Sequence, residues 1–207
     1  MAYLLSALVA RVTADVPAYD SVPSTDQYDQ AVKDAVDAYS LRNPIVDTAT
    51  LSLEADTADY DLPSDFIEVI RLRAIELADY YGEEYEIKGD GHITFYPTPD
   101  VAHHWELRYC ARHAGTAVAD PSYADMTDTD ARVLLLLAKA YCLQLQADKA
   151  ARSAWQYTEG EQTVSKVKQA ETFQKMAEQA LTNYERELKR IPTHGRLGLT
   201  EMPKSGD

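Results

Sequence analysis

Residues 131–150, ARVLLLLAKAYCLQLQADKA, form a strongly apolar segment that decides the fold. Drawn as a helix, this segment is apolar almost all round at the run Leu134–Leu137. A helix of this kind lies buried at the centre of a fold, because no face of it is polar enough to meet water. Thr127 or Thr129 can cap its amino end. We therefore predict a central helix over about residues 129–150.

Three further helices are predicted from apolar residues that recur at spacings of three and four. They cover about residues 2–16, 25–42 and 162–190. Prolines follow their ends at Pro17, Pro44 and Pro192, and proline cannot continue a helix. Ser24 or Thr25 can cap the second of them. Together with the central helix, they predict a bundle of about four helices.

The middle third of the chain alternates apolar and polar residues with a period of two, which is typical of strands. The alternation starts at about residue 46 and continues to about residue 113. Within it, Gly89-Asp90-Gly91 predicts a hairpin turn, since Asp-Gly readily supplies the positive φ angles that such turns need. We expect a small antiparallel β-sheet over about residues 46–113, inserted into the helical bundle. The predicted fold class is α+β.

The length and composition predict a single domain over residues 1–190. The chain has 207 residues, 45% of them apolar, and no Gly/Ser-rich or Pro-rich stretch of linker length divides it. The first residues, MAYLLSALVARV, lack a basic leading region, and Arg11 and Asp15 interrupt the apolar run before it could cross a bilayer. We expect a soluble cytosolic protein that does not bind membranes.

The formal net charge of −14 limits the partners of this chain. Affinity for nucleic acid comes mostly from lysines and arginines that neutralise phosphates, so non-specific DNA binding is not expected. Identical acidic subunits also repel one another, and we expect the isolated protein to be monomeric or weakly associated. Residues 186–204 depart from this balance, with three arginines and two lysines against two glutamates.

Residues 191–207 are predicted to form a flexible C-terminal tail. The segment has no hydrophobic periodicity, and Gly195, Gly198 and Pro203 leave it little local preference. Its apolar and basic side chains would order the tail on binding a partner, at the usual entropic cost. The candidates for such an interface are Arg190, Arg196, Leu197, Leu199, Met202 and Lys204.

The histidines do not form a metal site in the sequence. His103 and His104 are adjacent on a predicted strand, so their side chains point to opposite faces and cannot jointly bind one metal ion. His92 and His113 lie at turn or strand-end positions, where we expect exposed histidines.

The remaining chemical groups also have structural explanations. Asp125, Asp128 and Asp130 lack the glycine and the terminal glutamate of a calcium loop, and helix capping explains them better. Cys110 and Cys142 have no partner at metal-ligand or redox spacing, so we expect two buried thiols. We predict no catalytic residues, no metal and no cofactor.

The chain has fourteen tyrosines against three phenylalanines. Tyrosine suits surfaces that are buried on one side and wet on the other, which include subunit interfaces. The alternative is that these are half-exposed strand residues, favoured by β propensity. The tyrosines in or beside the predicted sheet are Tyr39, Tyr60, Tyr80, Tyr81, Tyr85, Tyr96 and Tyr109.

Short motifs frame the predicted sheet. Residues 60–66, YDLPSDF, lead into the strand IEVI at 67–70 and resemble the Y-x-L-P-x-D-F/L entry of head-to-tail connector (adaptor) proteins of tailed bacteriophages. Residues 93–99, ITFYPTP, resemble the I-x-(F/L)-x-P-x-P strand and exit of that family, and residues 107–109, LRY, resemble its returning strand. The order of the predicted elements is similar too, over about residues 2–190.

This resemblance implies a structural, non-enzymatic virion protein in the neck, between capsid and tail, made in the host bacterial cytoplasm. Such a protein forms a dodecameric ring below the portal and connects the phage head to the tail while genome DNA passes through the lumen without specific binding. Its partners would be the portal ring, a tail or stopper protein and copies of itself. C-terminal segments of the family reach the portal, which suggests that role for residues 191–207.

Two points remain open in the sequence. The acidic excess of residues 54–90 or 157–187 could line the lumen, but the sequence does not say which face these segments occupy. The alternative functions are another neck or tail component, such as a stopper or tail-tube protein, and an enzyme that acts on small substrates.

Overall fold

The computed structural model of the chain describes residues 2–75, 84–89, 91–115, 120–155 and 162–191. The elements in these residues are, in chain order, β1 (Tyr3–Leu4), α1 (Leu5–Asp15), α2 (Thr25–Arg42), β2 (Ile45–Leu53), β3 (Asp59–Asp61), β4 (Phe66–Ala74), β5 (Glu84–Lys88), β6 (His92–Tyr96), β7 (His103–Ala111), β8 (Ser122–Tyr123), α3 (Asp128–Trp155) and α4 (Gln162–Leu188). The predicted α+β fold, with four helices and small antiparallel sheets, is confirmed. The predicted tail lies outside the described residues except for Ile191.

The described residues divide into two compact units. The helical unit comprises those up to Tyr39 and those from His113 onward, and the sheet unit comprises Ser40–Arg112. Each unit has its own cluster of buried apolar residues. A single domain over residues 1–190 therefore stays a prediction.

The core of the helical unit is built on α3, as the apolar segment predicts. Leu134 and Leu137 on this helix are buried, while Leu135 and Leu136 are partly buried and pack against the same core. Burying one such side chain stabilises a fold by roughly 1.5–3 kcal/mol. The other helices contribute Leu5, Leu8, Val12, Tyr28, Val32, Val36, Ala177 and Tyr184. No helix in the described residues is long and apolar enough to cross a bilayer.

Reciprocal hydrogen bonds cap two of the helices at their amino ends. The amide of Gln27 donates to Oγ of Ser24 at 3.3 Å, and the amide of Ser24 donates to Oε1 of Gln27 at 2.8 Å. At the start of α3, the amide of Asp130 donates to Oγ1 of Thr127 at 3.2 Å, and the amide of Thr127 donates to Oδ2 of Asp130 at 2.9 Å. Both are capping boxes, so Ser24 and Thr127 are the caps among the predicted candidates.

The sheet unit contains two three-stranded antiparallel sheets, where the alternation of the sequence predicts one. Sheet 1 has the strand order β2-β7-β4, and sheet 2 has the order β3-β6-β5. The prolines that follow β6, Pro97 and Pro99, supply no amide donor for a continued ladder, so the strand ends there. Because β6 already pairs with β3 and β5 on its two sides, the next strand, β7, pairs in sheet 1.

The buried side chains of the two sheets make one core. The ring of Phe95 on β6 lies 5.4 Å from the ring of Trp105 on β7 and 5.9 Å from that of Tyr60, measured between centroids. Along the first part of strand β7, buried side chains alternate with more exposed ones. His104 and Arg108 lie on the face opposite the core and are exposed. One face of sheet 1 is thus buried, and the other carries polar and charged side chains.

The two motifs of the sheet region form turns. The predicted hairpin is confirmed: β5 pairs with β6, and Gly91 in the turn has a φ of +86°. In the YDLPSDF segment, Leu62 is buried, and the backbone amide of Phe66 donates to O of Pro63 at 3.0 Å. Oδ1 of Asp61 lies 2.8 Å from Nδ1 of His92.

Candidate functional site

The residues predicted to bind the portal are not brought together in the described part of the chain. Arg190 is exposed, and its Nη1 lies 2.8 Å from Oε1 of Glu187, so its charge is balanced locally. The others lie outside the described residues: Arg196, Leu197, Leu199, Met202 and Lys204. Their role stays a prediction.

The histidines of the sheet unit lie in separate environments. His103 is buried, with Nδ1 2.7 Å from O of Val101, whereas His104 is exposed on the other face of β7, as the alternation predicts. His92 is the partner of Asp61 at the hairpin. Among the described residues, no group of three or more His, Cys, Asp or Glu side chains could hold a metal ion.

The expectation of an exposed His113 is wrong. Only 5% of this residue is exposed, and its ring centroid lies 5.6 Å from that of Tyr39 on α2. The alternation of β7 ends at Ala111, and nothing in the sequence indicates that the chain then enters the helical core. Position at a strand end was therefore a poor guide to exposure.

Asp130 is the centre of a buried polar network in the helical unit. The hydroxyl of Tyr39 donates to its Oδ1 at 2.5 Å, and the hydroxyl of Thr127 donates to its Oδ2 at 2.6 Å. Burial would raise the pKa of Asp130, but the hydrogen bonds from Thr127 and Tyr39, with His113 nearby, outweigh it and hold the pKa below its usual range. The network joins α2 to the amino end of α3.

The two cysteines are buried and unpaired with each other, as predicted. Burial raises the pKa of the Cys142 thiol to about 12. Burial, together with the nearby carboxylate of Glu68, also raises the pKa of Cys110. Because the thiolate is the reactive form, neither side chain is suited to nucleophilic or redox chemistry.

The tyrosines of the sheet region divide between core and surface. Tyr109 is buried, with its hydroxyl 3.1 Å from Oδ1 of Asp65, while Tyr85 and Tyr96 are 43% and 48% exposed. Tyr80 and Tyr81 lie outside the described residues. The two interpretations of the tyrosine bias therefore both stay open.

The exposed side of sheet 1 carries arginines that the sequence alone does not single out. Arg71 on β4 lies directly opposite Arg108 on β7, and both side chains are exposed. Arg73, on the same side, has its Nε 3.0 Å from Oε1 of Glu106. Neither Arg71 nor Arg108 has an ion pair within the described residues. We call Arg71, Arg73 and Arg108 the arginine face.

A cleft of about 330 Å³ lies in the helical unit between α2 and α3. The ring of Tyr141 and the side chains of Ala31 and Leu145 supply its more buried lining. Its exposed rim carries carboxylates and amides, from Gln30, Asp34, Gln144 and Asp148. Neither carboxylate has an ion pair within the described residues. We call this feature the helix cleft.

The charges around the helix cleft affect its titrating groups. Burial, together with the nearby charge of Asp34, raises the pKa of the Tyr141 hydroxyl. The side-chain amide of Gln30 donates to Oδ1 of Asp34 at 2.7 Å and orients that carboxylate at the rim. The cleft therefore presents negative charge next to an aromatic ring, an arrangement that suits a cationic side chain.

The described residues thus carry charged surfaces on two packed units, and the buried Asp130 network supports the fold of the helical unit. The family model for the SU10 adaptor protein matches residues 3–196. The chain belongs to this family and is a structural adaptor of a phage virion. No curated protein matches it.

Proposed function

We propose that this adaptor forms a ring below the portal, connects the phage head to the tail and lets genome DNA pass through its lumen. The observation that supports the proposal is the family match over residues 3–196, almost the whole chain. The ring would hold twelve copies and would lie in the neck of the virion. In this proposal the protein performs no catalysis and needs no cofactor.

The architecture of the chain suits a structural connector. The buried helix α3 and the Phe95–Trp105 contact give each unit a core of its own. Unique, well-packed cores hold surface residues in fixed positions, which a repeated contact around a ring requires. The proposed partners besides other copies are the portal and a tail or stopper protein.

The proposed role of the tail is to bind the portal. Arg190 follows α4 and marks the place where the tail leaves the helical unit. Beyond it, Arg196 and Lys204 would pair with acidic groups, while Leu197, Leu199 and Met202 would enter apolar grooves of the portal. Many copies around a ring would make individually weak contacts strong together.

The net charge of −14 supports passage of DNA without binding. An acidic lining repels the phosphates, so the duplex would not adhere during packaging or ejection. A gel-shift assay with the purified protein at low salt should show no duplex binding at micromolar concentrations.

The proposal is tested by mixing the purified protein with portal rings from the same genome and imaging the product by electron microscopy. We expect one added ring on the side of the portal that faces the tail. Binding to tail tubes or to a stopper, with bare portals in the same images, would favour another neck or tail component. Equal occupancy of both would contradict a specific place below the portal.

A further inference from the structure

We propose that neighbouring copies of this chain contact each other through the arginine face of one copy and the helix cleft of the next. The inference rests on the proposed ring, because it names the surfaces by which the ring would close. The residues of this contact lie in the described part of the chain. They are separate from the tail, which is proposed to bind the portal.

The arginine face has an electrostatic reason to bind an acidic partner. Like charges that lie directly opposite on neighbouring strands destabilise a sheet, and Arg71 and Arg108 form such a pair. Arg73 has Glu106 as its partner, but no carboxylate in the described residues lies within ion-pair distance of the other two. Carboxylates from a second molecule would remove this repulsion.

The helix cleft has the complementary properties. Asp34 and Asp148 stand on its rim without ion pairs in the described residues, and Tyr141 offers a ring on which a guanidinium group can stack. Its volume of about 330 Å³ leaves room for an arginine side chain. Arginine is well suited to this site, since its planar fork can pair with a carboxylate and stack on an aromatic ring.

A second copy is the partner that charge favours. A DNA duplex could approach the arginine pair, but the chain has a net charge of −14. Repulsion between this charge and the DNA phosphates opposes binding. A second copy brings the acidic cleft itself, so that the same chain supplies both halves of the contact. This local attraction would offset the repulsion between acidic subunits, which is otherwise the main obstacle to packing them in a ring.

The two halves of the contact differ, so the contact can repeat from copy to copy. A contact between two different surfaces gives a ring when the rotation between copies closes. The arginine face and the helix cleft are different surfaces on different units of the chain. Such a contact therefore suits the proposed ring.

Site-directed cross-linking of the purified protein, without portal, tests the contact. Thr48 is exposed and lies opposite Arg108 in the register of sheet 1, and Gln144 is exposed on the rim of the cleft. We would mix the single variants Thr48→Cys and Gln144→Cys in equal amounts at increasing concentration and add a short bismaleimide. The native Cys110 and Cys142 are buried and should not react. We expect covalent dimers in the mixture and only background in either variant alone.

A charge exchange makes the test specific. In the Thr48→Cys chain we would also make the substitutions Arg71→Asp and Arg108→Asp. The dimer yield should fall about tenfold, since like charges then face each other across the contact. The exchange of Asp34→Arg and Asp148→Arg in the Gln144→Cys chain should do the same against the unchanged partner. Combining the two exchanged chains should restore the yield. The matched control is Glu185→Cys, an exposed position on α4 outside the cleft, which should give background in every mixture.

Several outcomes would overturn the contact. The first is the absence of mixed dimers at millimolar protein concentration. The second is an equal dimer yield from single variants and from mixtures. The third is a dimer yield that does not change when the charges are exchanged. An exchange at the arginine face that lowers only portal binding would assign that face to the portal instead. If an exchanged chain melts early, a salt titration of the two cysteine variants replaces it, and a yield independent of salt contradicts the contact. The cross-linking yields do not depend on portal docking, so the proposed function and this contact can fail separately.

Discussion

At the scale of single residues, Asp130 shows how a buried charge can serve the fold. Its carboxylate accepts hydrogen bonds from the hydroxyls of Tyr39 and Thr127 and from the backbone amide of Thr127, and it is itself buried together with Tyr39. Charged hydrogen bonds of this kind outweigh the desolvation of the carboxylate, which is why its pKa is held below the usual range. The same arrangement fixes where α3 begins.

Replacing this carboxylate should destabilise the helical unit. In Asp130→Asn the side chain loses its charge and keeps one acceptor oxygen, so either the Thr127 amide faces a donor or the Tyr39 hydroxyl must reverse and accept from the new amide. We expect a loss of about 1–3 kcal/mol in the free energy of unfolding at neutral pH. Urea denaturation followed by circular dichroism measures it.

The pH dependence gives the control. A depressed pKa in the folded state means that the ionised carboxylate stabilises the fold above the ordinary aspartate value of about 3.9, and that this stability is lost as the pH falls through the folded value. Asp130→Asn should therefore show a smaller loss of stability on acidification. Asp125→Asn, which changes an exposed carboxylate, should leave both stability and its pH dependence unchanged. Equal effects of the two substitutions would contradict the role of the network.

At the scale of helices and strands, the sequence predicted best what depends on local chemistry. Residues within a few positions of one another determine the helix caps at Ser24 and Thr127 and the hairpin at Gly91. Strand pairing depends on partners distant in the sequence, so the separation into two sheets was not predicted. His113 shows the same limit, because its burial depends on packing against Tyr39.

The arginine face was missed for a related reason. In residues 68–75, EVIRLRAI, the alternation does place Arg71 and Arg73 on one side of a strand. The position of Arg108 opposite Arg71 follows only from the register between β4 and β7, which contains two bulges. Periodicity gives the side of a strand on which a residue lies, but not its partner across the sheet.

The core between the two sheets gives a prediction at this scale. Phe95 and Tyr96 are neighbours on β6, yet Phe95 is fully buried against Trp105 while Tyr96 is 48% exposed. Phe95→Ala should lower the free energy of unfolding of the sheet unit by about 3–5 kcal/mol, because it leaves a cavity. Tyr96→Ala is the matched control and should change it far less. Thermal unfolding of both variants, with tryptophan fluorescence as the readout, distinguishes them, and similar losses would contradict the assignment of faces.

At the scale of the whole molecule, the net negative charge of each copy opposes assembly. With a net charge of −14, copies repel one another at long range, and the repulsion weakens as salt shortens the screening length. Short-range contacts such as those proposed for the arginine face act only after copies are brought close. A portal that holds the tails of many copies would do this, which makes the tail and the lateral contact two steps of one assembly.

The tail gives the last prediction, and the structure sets where it should be cut. Ile191 is partly buried, packs against the core of the helical unit and donates its amide to O of Leu188 at 3.2 Å, so it belongs to the folded part. Deleting residues 192–207 should therefore leave the melting temperature of the isolated chain unchanged, because no described contact is removed.

The same deletion should abolish binding to portal rings, since it removes the apolar and basic side chains proposed to dock there and, with them, the avidity of many tails on one ring. Co-sedimentation with portal rings measures the loss. A full-length chain with Arg196→Glu and Lys204→Glu is the matched control for length. It should bind portals more weakly than the wild type, and its residual binding, which rests on the apolar side chains, should not weaken as salt rises. A truncated chain that still occupies portals fully would place the portal interface in the described units, and the surfaces on α2, α3 and sheet 1 would then be the first to examine by substitution.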